Sequence, residues 1–332
     1  MIPFGEWLPD QAPLNSSGAT VATNVIAAAR GYRPFLGLAN LSQAADAYLR
    51  GFFATIDSGG TVHLFAGNAT KLFKFNAGTA ALDDVKSGAY TLASDDQWQF
   101  VQFGNSVYAA SGLSNLLQKY TLGSSSTFAD VSGSPKAKFL AVIRDFVVTA
   151  HNNTSSTNNP FRVQWSQIND ADTWTVGSNQ ADFQDIPDAG NITGLVGGDF
   201  GVVLLERGIA RMQYVGSPLI FTFDMVETGH GCDIPNSISA LAPTQIFYLA
   251  SDGFFMFNGE RSIPIGAEKV DTFFFDDSSP HHLDRLSCSI DPINQVVAWS
   301  YVSNESVAGT PDKIIMYNYA VGRWSLAELD HE

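Results

Sequence analysis

Three observations in the sequence predict an all-β fold, a β-propeller of about six four-stranded blades. A unit of apolar strand, tight turn and alternating strand recurs along the chain at nearly constant spacing. The apolar content is rich in residues that suit sheets, with 24 Phe, 10 Tyr and 6 Trp, beside 29 Gly to supply turns. Hydrophobic residues make up 45% of the 332 and charged residues only 15%, which fits a large core and excludes disorder.

The first copy runs Gly51–Thr55, turns at Ser58-Gly59-Gly60, and continues through Val62–Ala66 and Lys71–Phe75. The second runs Trp98–Phe103, turns at Gly104-Asn105, and continues through Val107–Ala110 and Leu117–Tyr120. The third has Lys138–Ile143, the Arg144-Asp145 turn, Phe146–Ala150 and Phe161–Trp165. In the fourth, Ile192–Val196 leads through Gly197-Gly198-Asp199 to Gly201–Leu205 and Ile209–Tyr214. The fifth comprises Ile238–Leu241, Ile246–Ala250, the Asp252-Gly253 turn and Phe254–Phe257. The sixth comprises Leu286–Ile290, the Asp291–Asn294 turn, Val296–Tyr301 and Lys313–Tyr319.

The third strands, marked by Leu72, Gln118, Gln164, Arg211, Phe255 and Ile315, are separated by about 46, 46, 47, 44 and 60 residues, the spacing of propeller blades. An insert, Ser303–Pro311, accounts for the last, longer step. One such sheet cannot bury both faces alone, so the copies must stack radially. A solenoid of the same units is the alternative, although neither end carries a polar cap. Neither a WD dipeptide nor a kelch double glycine recurs.

Residues 1–48 stand outside the period and 49–332 carry the propeller. Pro3, Pro9, Pro13 and Pro34, with Asn15-Ser16-Ser17-Gly18 between, read as an extended N-terminal arm in which Val21–Ala29 supplies a strand or a short helix. Two readings of the arm stay open: it completes the last blade, or it reaches onto a neighbouring subunit.

The available chemistry is sparse. No G-x-S-x-G elbow, P-loop or H-E-x-x-H motif occurs. His281 and His282 with Asp276, Asp277 and Asp284 form the densest set of metal-ligand types, but in a segment read as a solvated loop with no spacing to converge them. Ser166–Trp174 is similar to the Asp-box turn of sialidase-type propellers, where the acid and the Trp fold a hairpin and do not catalyse. A glycosidase would further need carboxylates converging at one mouth. No enzyme activity, metal or cofactor is therefore expected. Cys232 and Cys288 form no CxxC pair and are expected to fill small buried positions in neighbouring repeats. Met1–Trp7 shows no basic or apolar leader region, and the most apolar stretch, Phe139–Ala150, is interrupted by Arg144-Asp145 and too short to span a bilayer, so no membrane insertion is expected.

With 33 acidic against 18 basic residues, the formal net charge is −15. Such a chain repels nucleic acid instead of neutralising its phosphates. The charge serves solubility, or it marks a surface past which DNA slides without sticking.

Phe4–Gln11, Val21–Ile26 and Gly31–Phe35, with Arg162–Ser166, Asp172–Trp174 and Phe247–Phe255, resemble the tail-hub or nozzle proteins of short-tailed bacteriophages, the relatives of packaged-DNA-stabilisation proteins. The resemblance runs along nearly the whole chain and rests on turn and core residues. It implies a virion tail protein assembled in the host cytoplasm as a ring of about six copies. That ring would sit below the portal and adaptor, retain and pass double-stranded DNA without sequence-specific binding, and carry fibres or spikes. The chain is shorter than many of these proteins, so the tip domain of some relatives is not expected. Asp83, Asp84, Asp95, Asp96, Asp276 and Asp277 are the expected acids on loops near the channel. Phe4, Trp7, Leu8 and Phe273-Phe274-Phe275 are the expected subunit contacts, with blade core as the competing reading of the Phe triplet. A glycan-binding or glycan-cleaving propeller and a cytoplasmic propeller scaffold are the alternative functions.

Overall fold

The computed structural model describes residues 4–12, 14, 18–154 and 157–329. Of the arm residues cited above, Met1–Pro3, Pro13 and Asn15–Ser17 lie outside these. Six antiparallel four-stranded sheets follow one another in sequence order, which makes the chain an all-β protein with the blades of a six-bladed propeller.

A two-stranded hairpin opens the chain, β1 (Val25–Ala28) and β2 (Gly31–Pro34). Residues 40–229 form one compact unit of four blades. They are β3–β6 (Phe52–Ile56, Val62–Gly67, Leu72–Asn76, Ala81–Asp84), β7–β10 (Gln99–Phe103, Ser106–Ala110, Gln118–Thr121, Ala129–Asp130), β11–β14 (Lys136–Ile143, Phe146–Thr154, Thr157–Trp165, Asp182–Asp185) and β15–β18 (Ile192–Val196, Gly201–Leu205, Gly208–Gly216, Ile220–Thr228). Residues 1–39 and 230–332 form the other unit. It holds β19–β22 (Ser239–Ala242, Gln245–Ala250, Gly253–Phe257, Ser262–Pro264), a helix α1 (Asp271–Asp277) and β23–β26 (Ser287–Asp291, Val296–Tyr301, Lys313–Asn318, Arg323–Glu328).

Within the four-blade unit β3 adjoins β7, β7 adjoins β11 and β11 adjoins β15, and within the other unit β19 adjoins β23. First strands therefore line the side where blades converge, and fourth strands form the outer edge. Second and third strands carry the cores between blades. Phe65, Leu72, Val107, Tyr120 and Phe128 fill the space between the first two sheets. Tyr108, Leu117, Leu140, Val147 and Trp174 fill the next, and Phe146, Val148, Trp165, Val203 and Phe221 the third. In the smaller unit Phe254, Phe274, Trp299 and Trp324 form one aromatic cluster, with ring centroids 4.8 to 5.7 Å apart. Burial of such rings is the dominant stabilising term of a fold with little helix.

Every strand segment proposed from sequence coincides with an observed strand to within a few residues. The fourth strands are not among the segments read from the sequence: β10 has only two residues, both exposed, whereas β18 with nine residues and β26 with six are apolar segments that the repeat reading passed over. The long last step has a second cause besides the Ser303–Pro311 insert, since residues 265–286 between the last two blades contain α1. Phe273–Asp277 is thus a helical turn where a loop was expected. Asp10 builds it, its carboxylate accepting the backbone N–H groups of Thr272 and Phe273 at 2.9 and 2.7 Å, a cap supplied from the far end of the sequence.

The arm is not free. Trp7 N–H donates to the Tyr32 hydroxyl at 2.8 Å, and Thr23 bridges Leu326 in parallel on the outer edge of β26. The Leu326 N–H donates to Ala22 O and the Asn24 N–H donates to Leu326 O. Ile26 and Phe35 cover Val296, Ile314 and Met316 of the last blade. Residues 22–35 therefore extend the last blade, the first of the two readings of the arm, and Val25–Ala28 resolves as strand.

Candidate functional site

One cavity of about 300 Å³ in the four-blade unit brings together groups suited to ligand binding: Arg144, Asp199, Phe200, Arg211, Gln213 and Tyr214. Its walls follow from local backbone. Arg144 occupies the tight β11–β12 turn with φ 52°, and its N–H donates to Gly198 O at 2.9 Å, tying that turn to the β15–β16 turn. The approach is close because position 197 is glycine: a Cβ there would lie 2.1 Å from Val142 O. Asp199 and Phe200 sit on the second turn, and Arg211, Gln213 and Tyr214 come from β17, which runs past the start of β16 at this end.

The Arg144 guanidinium carbon lies 4.9 Å from the Tyr214 ring centroid, a cation–π stack. Tyr214 is held from behind, its hydroxyl donating to Gln180 Oε1 at 2.9 Å and its ring edge-on to Phe221. Arg211 pairs in register with Asp224 on β18, yet neither Arg211 nor Arg144 has an ion-pair partner among the described residues. The Arg211 Nε is buried without an acceptor. Two arginines lining one cavity with no ion pair are unexpected in a chain with 33 acids.

A second polar region lies on blade 3. Lys138 on β11 pairs with Asp96 at 2.9 Å and Asp95 at 3.1 Å. His151 sits at a bulge of β12 with φ 54°, its Nδ1 3.2 Å from Ile192 O and its ring near Phe139. Burial pushes the His151 pKa down and keeps the ring neutral. Buried side-chain oxygens of Asn152, Asn153, Thr154 and Thr193 have no partner among the described residues.

The sequence-predicted residues fall as follows. Asp83 and Asp84 lie on β6, the outermost strand of their blade, which corrects their expected place on a loop near the channel. Asp96 is buried against Lys138. Asp277 accepts the Tyr301 hydroxyl at 2.6 Å and pairs with Lys313 at 2.8 Å, so it joins α1 to the last blade instead of facing solvent. Asp95 and Asp276 remain exposed acids. Trp7 and Phe274 are buried, and Trp7 stacks edge-on to Phe273 at 5.2 Å, which corrects their assignment as subunit contacts. Phe275 and Leu8 are half-buried, and Phe4 is 64% exposed.

The Ser166–Trp174 turn docks blade 3 on blade 2. Asp170 accepts the Asp172 N–H and the Thr173 hydroxyl, and Asp172 in turn accepts the Tyr108 hydroxyl and Lys119. Among the described residues no group of three His, Cys, Asp or Glu is placed to hold a metal ion, and no helix is long and apolar enough to cross a membrane. Arg144 and Arg211 were visible in the sequence only as a turn residue and as a single cation within the apolar run Ile209–Met212. That interruption was the available signal.

No protein-family model matches this chain, and no curated protein sequence matches it either. Solved structures do. The extracellular domain of a hybrid two-component system protein of B. thetaiotaomicron is similar over 89% of this chain, at 13% identity and a TM-score of 0.56. This chain spans only 34% of that structure. The WD40 domain of Neurospora crassa Pan2 matches 84% of this chain and 79% of its own length, at 9% identity and a TM-score of 0.49. At these identities the likeness speaks to fold alone.

Proposed function

We propose that this chain is a structural subunit of the tail of a short-tailed bacteriophage, a nozzle or hub protein. Its copies, about six, form a ring continuing the portal–adaptor channel, which retains packaged DNA, passes it at ejection and carries fibres or spikes. The observation that carries the reading is where the family-like residues sit. Trp7, Ala22–Asn24 and Tyr32 build the strap on the last blade, and Trp165–Ser166 with Asp172–Trp174 build the dock between blades 2 and 3. The resemblance therefore falls on scaffold positions, as expected for a protein whose task is shape and assembly.

The charge supports the same reading. A surplus of carboxylates offers passing DNA no phosphate ligands, so transit is not slowed by counterion-release binding. Asp95 and Asp276 are the acids of that set that are exposed and lie off the outermost strand of a blade. For contacts between copies, Phe4, Leu36 and Leu38 at 64%, 95% and 72% exposure replace the buried Trp7 and Phe274. Gold-labelled antibody against the chain should decorate the tail of intact particles, at the vertex that holds the portal. Label found only on host protein, with none on particles, would reject the tail assignment.

A further inference from the structure

We infer that the Arg144–Arg211 cavity is a binding site for a carboxylate-bearing polyhydroxy compound, a sugar acid of one or two rings. This does not depend on the tail assignment. The volume of about 300 Å³ is at the small end of ligand pockets and suits such a molecule. Two guanidinium groups line it, neither ion-paired to a carboxylate among the described residues, and the Arg211 Nε is buried without an acceptor. Carboxylates and phosphates are the anions that a planar guanidinium fork matches best.

The remaining lining separates these two. Asp199 places a carboxylate in the same cavity, which repels a dianion but accepts hydroxyl protons. Gln213 adds a donor and an acceptor, while Phe200 and the Tyr214 ring supply flat apolar surface of the kind a sugar ring covers. The Tyr214 hydroxyl is already committed to Gln180, so Tyr214 contributes its face and not its proton. A monoanion carrying hydroxyl groups uses every element of this lining, whereas inorganic phosphate uses only the two arginines.

The site is also pre-shaped. Arg144 is fixed by its φ of 52°, by the bond to Gly198 O and by the stack on Tyr214, so little ordering entropy is lost on binding.

The arginine Nε–Hε resonances of the full chain report directly on the proposed contacts. Titration with glucuronate should shift those of Arg211 and Arg144 saturably, while glucose and sodium chloride at equal concentration leave them in place. R144Q and R211Q should each weaken glucuronate binding about tenfold or more, since each removes a charge-assisted contact. D199N should weaken glucuronate and leave sulfate unaffected or improved. Arg144 is exposed on a turn, so R144Q serves if R211Q fails to fold. Three results would overturn the proposal: shifts from glucuronate no larger than from chloride, affinity unchanged in R144Q, or sulfate binding as tightly as glucuronate with D199N silent, which would leave a bare oxyanion site.

Discussion

Replacing Trp7 with alanine should destabilise the isolated chain even though Trp7 lies near its start. The ring is 4% exposed, stands edge-on to Phe273 at 5.2 Å and belongs to the cluster that contains Phe254, Phe274, Trp299 and Trp324. Emptying such a site costs about 3–5 kcal/mol, the transfer of the ring plus the cavity left behind. Against a typical total of about 5–15 kcal/mol this is a large fraction. Phe4, three residues earlier and 64% exposed, serves as the control, and F4A should stay within about 0.5 kcal/mol. Urea unfolding of dilute protein, followed by tryptophan fluorescence and by far-ultraviolet circular dichroism, reads both variants. W7A should lower the midpoint of the transition of the smaller unit and expose the segment before Val25 to protease. A change below about 1 kcal/mol, with protease resistance intact, would refute the intrachain strap. The role of Trp7 would then pass to contacts between copies.

Asp271 gives a pH signature. Burial pushes its carboxyl from 3.8 up to about 6, with Asp10 and Asp252 adding to the rise. Below pH 4 the group is protonated folded or unfolded and contributes nothing. As pH rises through 4 to 6 the unfolded chain loses the proton first, so native stability falls, and above about pH 6 the loss is constant. D271N, which can still accept from the Phe254 N–H, should therefore gain on the wild type between pH 4 and 6.5, and a pH-independent difference would contradict this. Cys232 is buried, with its pKa pushed up to about 12 by burial, and Cys288 is half-buried, its pKa raised well above 9 for the same reason. A thiol reagent at pH 8 should leave Cys232 unlabelled and react only slowly with Cys288 in native protein, and label both after denaturation, and rapid labelling of Cys232 in the native chain would be the opposing result. D170A, by releasing Asp172 and Thr173, should cost about 1–2 kcal/mol and loosen the dock on Tyr108, with D170N intermediate by chemical denaturation.

Much of this fold was legible because each blade core repeats one local pattern. Phe146–Val148 and Gly201–Leu205 are continuous apolar runs beside tight turns, and a strand buried on both faces admits little else. What escaped depends on partners remote in sequence. α1 is capped by Asp10, and β10 exists only by pairing Ala129 and Asp130 with Lys119 and Gln118. Asp96 and Asp277 read as solvated acids until Lys138 and Lys313 arrive from neighbouring strands to bury them. The cavity was hidden for the same reason, since Arg144 on one turn comes to line the same space as Arg211 on β17 where Gly197 lets two turns touch.

The central claim, a tail subunit that closes into a ring, is tested most directly by the native mass and shape of the purified protein, alone and in particles. A closed multi-subunit ring of about six copies, with an axial opening coincident with the tail axis, is the predicted result. A monodisperse monomer that is absent from particles would contradict it.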